Sequence, residues 1–285
     1  MPLQPRRLFV FGCSFTKWMY PTWSDILATH LSPIEYFNYG AAGAGNQFIF
    51  TKLIEADMVH SFNETDMVIV QWTNISREDR YSEKTKSWIT PGNIYTQTVY
   101  NEEFIKEWAN DSHYAAINFS LIKSANDIFH NKTNFINLQM LDLSKKSDQW
   151  SPTGLSDQVS NLVDLFDEFL SSQLQDSFYD VLWNGDLDNK ISLCNNIHDD
   201  YSDYHPTIEE HAKYISSILN ISWSDELLEI INTSQAQYER IVKAHLDSGN
   251  LYNTLTTLRS ADLEEHIYSR FSKSVELDAT ALISI

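Results

Sequence analysis

Four short stretches of the chain carry groups able to perform nucleophilic chemistry. Gly12-Cys13-Ser14-Phe15-Thr16 offers a hydroxyl beside a glycine, and Gly40-Ala41-Ala42-Gly43-Ala44-Gly45 offers backbone N–H groups that can face a ligand. Thr73-Asn74 offers a side-chain amide, and Asp203-Tyr204-His205-Pro206 offers an imidazole with a carboxylate two residues before it. A serine hydroxyl is a weak nucleophile until a base takes its proton, and the base needs a third group to orient it. Hydroxyl, imidazole and a set of N–H and amide donors would together supply nucleophile, base and oxyanion stabilisation for acyl transfer.

Such groups must be brought together by the elements that carry them. Apolar runs and helical periodicity predict strand 7–12, helix 22–31, strand 35–39, helix 45–60 and strand 66–72. That alternation implies a parallel sheet with helices on its faces. Asp66-Met-Val-Ile-Val-Gln-Trp72 is nearly all apolar, as a strand covered on both sides should be. Residues 75–98 read as a long polar loop over one end of the sheet, followed by a helix over 101–129 and a strand over 134–140. Beyond these, the pattern gives a helix over 157–174, a short strand at Tyr179-Asp-Val-Leu182, a helix from Thr207, another from Ser222-Trp-Ser-Asp225 and a last one over 261–273. The division expected is an α/β domain over 1–220, with an insertion over 75–130, and a helical C-terminal extension over 221–285. In an open α/β sheet the ligand site lies beyond the carboxyl ends of the strands, where Ser14, Gly43 and Asn74 all fall.

With that placement, the four stretches resemble the blocks of the SGNH hydrolases, the GDSL-like esterases and acyltransferases. Gly12-Cys13-Ser14 is similar to the first block, Gly43 falls at the second-block glycine, Asn74 at the third-block asparagine and Asp203-Tyr204-His205-Pro206 at the last. Gly-Cys-Ser-Phe-Thr followed by Tyr20-Pro21-Thr22-Trp23 resembles a divergent branch of that family. The resemblance implies a three-layer α/β/α sandwich of the flavodoxin-like kind and a Ser14–His205 acyl-enzyme mechanism, with Asp203 orienting the imidazole. It implies an oxyanion hole of Ser14 N–H, Gly43 N–H and the Asn74 amide, no cofactor, and a small acyl ester as substrate, such as acetyl on a carbohydrate. Cys13, Trp72 and Arg77 flank this site and are expected to contact substrate. The chain departs from the family at Cys13, at Phe15-Thr16, at Thr73 and in the spacing of Asp203. Ser202 stands where the acid is usual, so Asp200 or Asp199 are alternative orienting groups. An acyltransferase using the same residues and a non-catalytic glycan- or protein-binding module are the competing readings.

Each residue also has a plainer role. Ser14 could cap a helix, the glycines could serve turns or close packing, and Asn74 could be a strand-end turn residue. Cys13 reads as a small buried hydrophobe, although a thiolate paired with His205 would be a competent nucleophile. The run from His198 to His205 holds metal-ligand side chains but matches no standard zinc spacing, and no metal is expected. His211 reads as a packing or helix-surface residue. The aromatic series Tyr81, Trp88, Tyr95, Tyr100, Trp108 and Tyr114 could stack on a sugar or pack the insertion onto the core.

Composition sets the outer limits. The 285 residues are 42% hydrophobic, enough for a sizeable core. A formal charge of -19 opposes nucleic-acid binding. Two widely spaced cysteines, Cys13 and Cys194, indicate neither a disulfide framework nor a Cys-rich zinc site. The short apolar run after Arg6-Arg7 reads as a first strand rather than a signal peptide or membrane span, so a cytoplasmic protein is expected.

Overall fold

A computed structural model describes residues 5–95, 99–143, 157–185, 205–247 and 267–275. Four parallel strands, β1 (Arg7–Phe11), β2 (Glu35–Asn38), β3 (Asp66–Trp72) and β6 (Asn134–Gln139), lie in the order β2-β1-β3-β6. This is the doubly wound order in which the chain starts at the middle of the sheet and reverses direction once. The crossover helices α1 (Trp23–His30), α2 (Asn46–His60) and α4 (Asp111–Phe129) follow from it. Because such crossovers are right-handed, the leftward step through α1 and the rightward steps through α2 and α4 place these helices on opposite faces. Accordingly α2 packs on α4, and α4 on α5 (Asp157–Gln173), while α1 packs on α7 (Ile208–Leu219) across the sheet.

Leu8, Phe9, Val10 and Phe11 of β1 and Val68, Ile69 and Val70 of β3 are completely buried, the expected state of central strands covered on both faces. Register is pinned at the amino end of the sheet, where Arg7 pairs with Asp66 in β3 through two hydrogen bonds of 2.7 and 2.6 Å. The free edge of β2 meets the C-terminal segment, in which Val275 N–H donates to Tyr36 C=O over 2.7 Å.

Several elements differ from their sequence expectation. The 75–98 loop contains a hairpin, β4 (Arg80–Ser82) and β5 (Ser87–Ile89). The long helix over 101–129 is two, α3 (Glu102–Trp108) and α4, because Asn110 turns extended and its side chain caps the second at His113 N–H. Tyr179–Leu182 is helical, inside α6 (Phe178–Trp183), since the Ser177 hydroxyl caps Asp180 N–H and overrides the β-prone composition. The described part of the expected last helix is one 3-10 turn at Tyr268–Arg270. Among the described residues no helix is long and apolar enough to cross a membrane.

Helix α8 (Asp225–Asp247) buries Leu227, Ile231, Tyr238 and Val242 in a second apolar cluster with Tyr20, Ile26, Ile208 and Ala212. Its Gln235 accepts from Ile208 N–H at 3.0 Å, satisfying a donor at the start of α7. Beneath α1 runs a polar network: Thr22 Oγ1, Ser24 Oγ and Asn38 Nδ2 all donate to Thr16 C=O, at 2.7, 2.8 and 3.0 Å. Asp25 closes the α1 capping box with Thr22, and its Oδ1 lies 3.0 Å from the Tyr36 hydroxyl.

Burial pushes the Asp25 carboxyl up to about 6, against the lowering effect of its bonds from Thr22 and Tyr36. The folded chain therefore holds this proton more tightly than the unfolded chain, and stability falls as pH rises from about 4 to about 6. Asp25→Asn removes the titration and keeps one of the two accepting oxygens, so the two proteins are compared by their pH dependence. Urea unfolding is expected to show wild type losing on the order of 3 kcal/mol relative to Asp25→Asn across that window. A pH-independent difference between the two proteins refutes this assignment.

Candidate active site

The carboxyl ends of β1, β2, β3 and β6 emerge along one edge, and specific bonds draw their loops together. After β1 the chain makes a single turn, with Cys13 C=O accepting from Thr16 N–H and Lys17 N–H at 3.0 and 3.1 Å. Ser14 sits in that turn and is 7% exposed. It caps no helix, since α1 begins later and is capped by Thr22. The turn is tied to the β2 loop by Ala41 N–H, which donates to Gly12 C=O over 3.1 Å.

Gly43 adopts φ +74°, and a Cβ there would lie 2.2 Å from Thr90 C=O. Both the left-handed backbone and the contact with the hairpin strand demand glycine. Thr90 Oγ1 also donates to Ala42 C=O at 2.9 Å, so the end of β5 covers this loop. Among the described residues, neither Ser14 N–H nor Gly43 N–H has an acceptor, which leaves both available to an oxyanion.

Asn46, at the start of α2, clamps the β3 loop: its Oδ1 accepts from Thr73 N–H at 2.8 Å, and its Nδ2 donates to Thr73 C=O at 3.0 Å and to Asn118 Oδ1 at 2.8 Å. Asn74 then uses its Oδ1 to accept from Ser76 N–H at 2.7 Å, an Asx turn that reserves the Nδ2 hydrogens for other acceptors. Helix α2 has no side-chain cap of its own. Asp79 reaches over from the insertion and accepts from Gly45 N–H and Phe48 N–H at 2.8 and 2.9 Å. Burial pushes its carboxyl above the ordinary value despite those two bonds. The Met140 sulfur, just past β6, lies beneath all these loops, within 3.9 Å of Cys13 Sγ, 3.5 Å of Thr73 Oγ1 and 3.7 Å of Arg77 Nη2.

His205 arrives from the far end of the chain. Its ring lies flat on the Trp18 indole, with centroids 3.8 Å apart and planes 14° from parallel, and 5.7 Å from the ring of Phe15, the neighbour of Ser14. Tyr20 fixes the following residue by donating to Pro206 C=O at 2.8 Å. Tyr268 in turn holds this loop, its hydroxyl 2.6 Å from Trp18 C=O and 3.0 Å from Tyr20 C=O. A cavity of about 330 Å³ opens here between Lys17, Trp18, Met19, Gly40 and Ala42. The structure thus brings His205 to the loop that bears Ser14. Among the described residues, Ser14 Oγ forms no hydrogen bond. Asp203, Asp200 and Asp199 lie outside the described residues, as does most of the His198–His205 run.

Two expected substrate contacts are corrected. Trp72 is fully buried and donates its indole N–H to Asn137 Oδ1 at 2.9 Å, so it is part of the sheet packing. Cys13 is likewise fully buried, its Sγ 3.9 Å from the Met140 sulfur, in keeping with its reading as a small buried hydrophobe. Arg77 is partly buried, with Nη1 donating to Ala44 C=O at 2.8 Å beside Gly43. His211 is a packing residue, fully buried, with its ring edge-on to those of Phe15 and Phe178. The sequence reading missed Trp18, Asn46 and Met140. The position of Asn46, directly after a glycine-rich strand-end loop, is the one available signal; the stacking of Trp18 on His205 has no local signature.

No family model matches the chain. No curated protein matches it either. Among solved structures it is similar to an acetylxylan esterase from Geobacillus stearothermophilus, at 13% identity over 78% of this chain and 98% of that one, with a TM-score of 0.45. It is also similar to a member of the lipolytic G-D-S-L family from Veillonella parvula, at 15% identity over 75% of this chain and 97% of that one, with a TM-score of 0.43.

Asn46→Ala removes both bonds to Thr73 and strands its buried backbone groups. Each such group costs about 1–3 kcal/mol, so denaturant unfolding is expected to show a loss of at least about 2 kcal/mol. A loss under about 1 kcal/mol, the net worth of a single bond, would mean that the clamp does not hold the loop.

Proposed function

We propose that the chain is a serine esterase acting on a small acyl ester through an acyl-enzyme. The observation that carries this reading is the delivery of His205, by its stack on Trp18, to the loop of Ser14, where two backbone N–H groups stand without acceptors. Ser14 Oγ attacks the ester carbonyl carbon while His205 takes its proton. The carbonyl oxygen, now negative, receives hydrogen bonds from Ser14 N–H, Gly43 N–H and Asn74 Nδ2. Collapse of this intermediate expels the alcohol, protonated by His205, and leaves the acyl group on Ser14. Water, deprotonated by His205, then attacks the acyl carbon and restores the serine.

Catalytic hydrogen bonds are often long or unformed before substrate binds, so this mechanism requires the Ser14 hydroxyl and the imidazole to meet in the substrate complex. Asp203 is the proposed orienting acid.

Labelling with a fluorophosphonate tests the reading. Stoichiometric modification of Ser14 is expected, abolished in Ser14→Ala and slowed by about 10²–10⁴ in His205→Ala, the usual contribution of a general base. No labelling of a correctly folded protein would identify a binding module on this fold and reject the esterase. With an acetyl ester as donor, release of acetate identifies hydrolysis, and transfer to an added sugar identifies the acyltransferase.

A further inference from the structure

A second and larger cavity, about 400 Å³, lies between the β4–β5 hairpin, the first turn of α2 and the N-terminal half of α4. Its walls include neither Ser14 nor His205. The volume falls within the range of about 300–1,000 Å³ typical of small-molecule sites. One wall is aromatic. Tyr81 and Trp88 are directly paired across the hairpin and meet edge to face at 6.0 Å, and Trp88 is steadied by Phe48 at 5.8 Å. Tyr81 remains 46% exposed, so these rings do not serve only to fasten the hairpin to the core.

The remaining walls are polar and balanced in charge. Arg77, Arg80, Glu78 and Asp79 all line the cavity. Asp79 is occupied by the α2 N-terminus. Glu78 is occupied by Arg80 at 2.7 Å and by the Tyr114 hydroxyl at 2.9 Å. Four groups in these walls make no hydrogen bond among the described residues: Arg77 Nε, which is buried, and the Trp88 indole N–H, the Gln47 amide and the His113 ring. An anion would meet the Glu78 and Asp79 carboxylates in the same walls, and one of the two guanidinium groups, Arg80, is already paired with Glu78. An apolar ligand would leave the buried Arg77 Nε unsatisfied, at about 1–3 kcal/mol for such a group. A neutral polyhydroxylated ring fits both constraints, with its C–H face against Trp88 and Tyr81 and its hydroxyls toward the unoccupied donors and acceptors.

We propose that this cavity is a carbohydrate-binding site separate from the Ser14 centre. It shares structure with that centre, since Arg77 holds Ala44 C=O and Thr90 at the end of β5 holds Ala42 C=O, on either side of Gly43. A bound sugar and the Gly43 loop therefore press on the same hairpin. The inference does not depend on the esterase reading, because it uses neither Ser14 nor His205.

Isothermal titration calorimetry of the full chain against neutral tetrasaccharides of xylose, glucose, mannose and N-acetylglucosamine, with tetragalacturonate as the anionic comparison, tests it. Saturable binding of at least one neutral sugar is expected. That binding should weaken about tenfold in Trp88→Ala and in Tyr81→Ala, persist in Trp88→Phe and be unchanged in Ser14→Ala. Far-ultraviolet circular dichroism confirms that each variant is folded. Four outcomes overturn the proposal: no neutral sugar binds at millimolar concentration, only the anionic one binds, binding survives both aromatic truncations, or binding is lost in Ser14→Ala.

Discussion

The site depends on one backbone oxygen. Thr16 C=O accepts from Thr22, Ser24 and Asn38, and this triple attachment locks the turn that carries Ser14 against α1 and the end of β2. A turn after a strand has few bonds of its own, so its shape is set by what holds it from outside. Here the donors come from the next helix and the neighbouring strand, and Asp25 and Tyr36, both buried, bond all three in turn. The cost of burying the Asp25 carboxyl is the physical consequence of holding a surface turn by an interior network.

The second constraint is distance along the chain. His205 reaches Ser14's loop through contacts that the central sheet does not make: the Trp18 stack, the Tyr20 bond to Pro206 and the Gln235 cap on α7. Tyr268, in the C-terminal segment, bonds the carbonyls of Trp18 and Tyr20. Residues after the last strand are therefore wired to the imidazole. The Tyr20-Pro21-Thr22-Trp23 stretch acquires a physical meaning: Tyr20 holds the His205 segment, Thr22 starts α1, and Trp23 packs in the core with its indole N–H 3.4 Å from Gln71 Oε1.

The insertion after β3 performs two tasks at once. Its Asp79 completes the start of α2 and its Thr90 covers Gly43, while its aromatic pair and arginines wall a cavity on the other side. Arg77 joins the two regions through a single bond to Ala44 C=O. Polar and irregular in sequence, it reads as a plain loop, because three-residue strands are too short to show periodicity.

The sequence by itself determined the parallel sheet, its strand boundaries and the placement of Ser14, Gly43 and Asn74 beyond the carboxyl ends of its strands. Alternating apolar strands and helices permit few topologies, and all strand ends of a parallel sheet point the same way. The helix starts near residue 22 and at Thr207 were equally legible, being marked by local patterns. Only the tertiary structure decided that Trp18 carries His205, that Asn46 clamps Thr73 and that Asp79 caps a helix remote from it in sequence. These are contacts between segments far apart along the chain, and such contacts leave no periodicity or spacing to read, because each exists only once the sheet has brought its partners together.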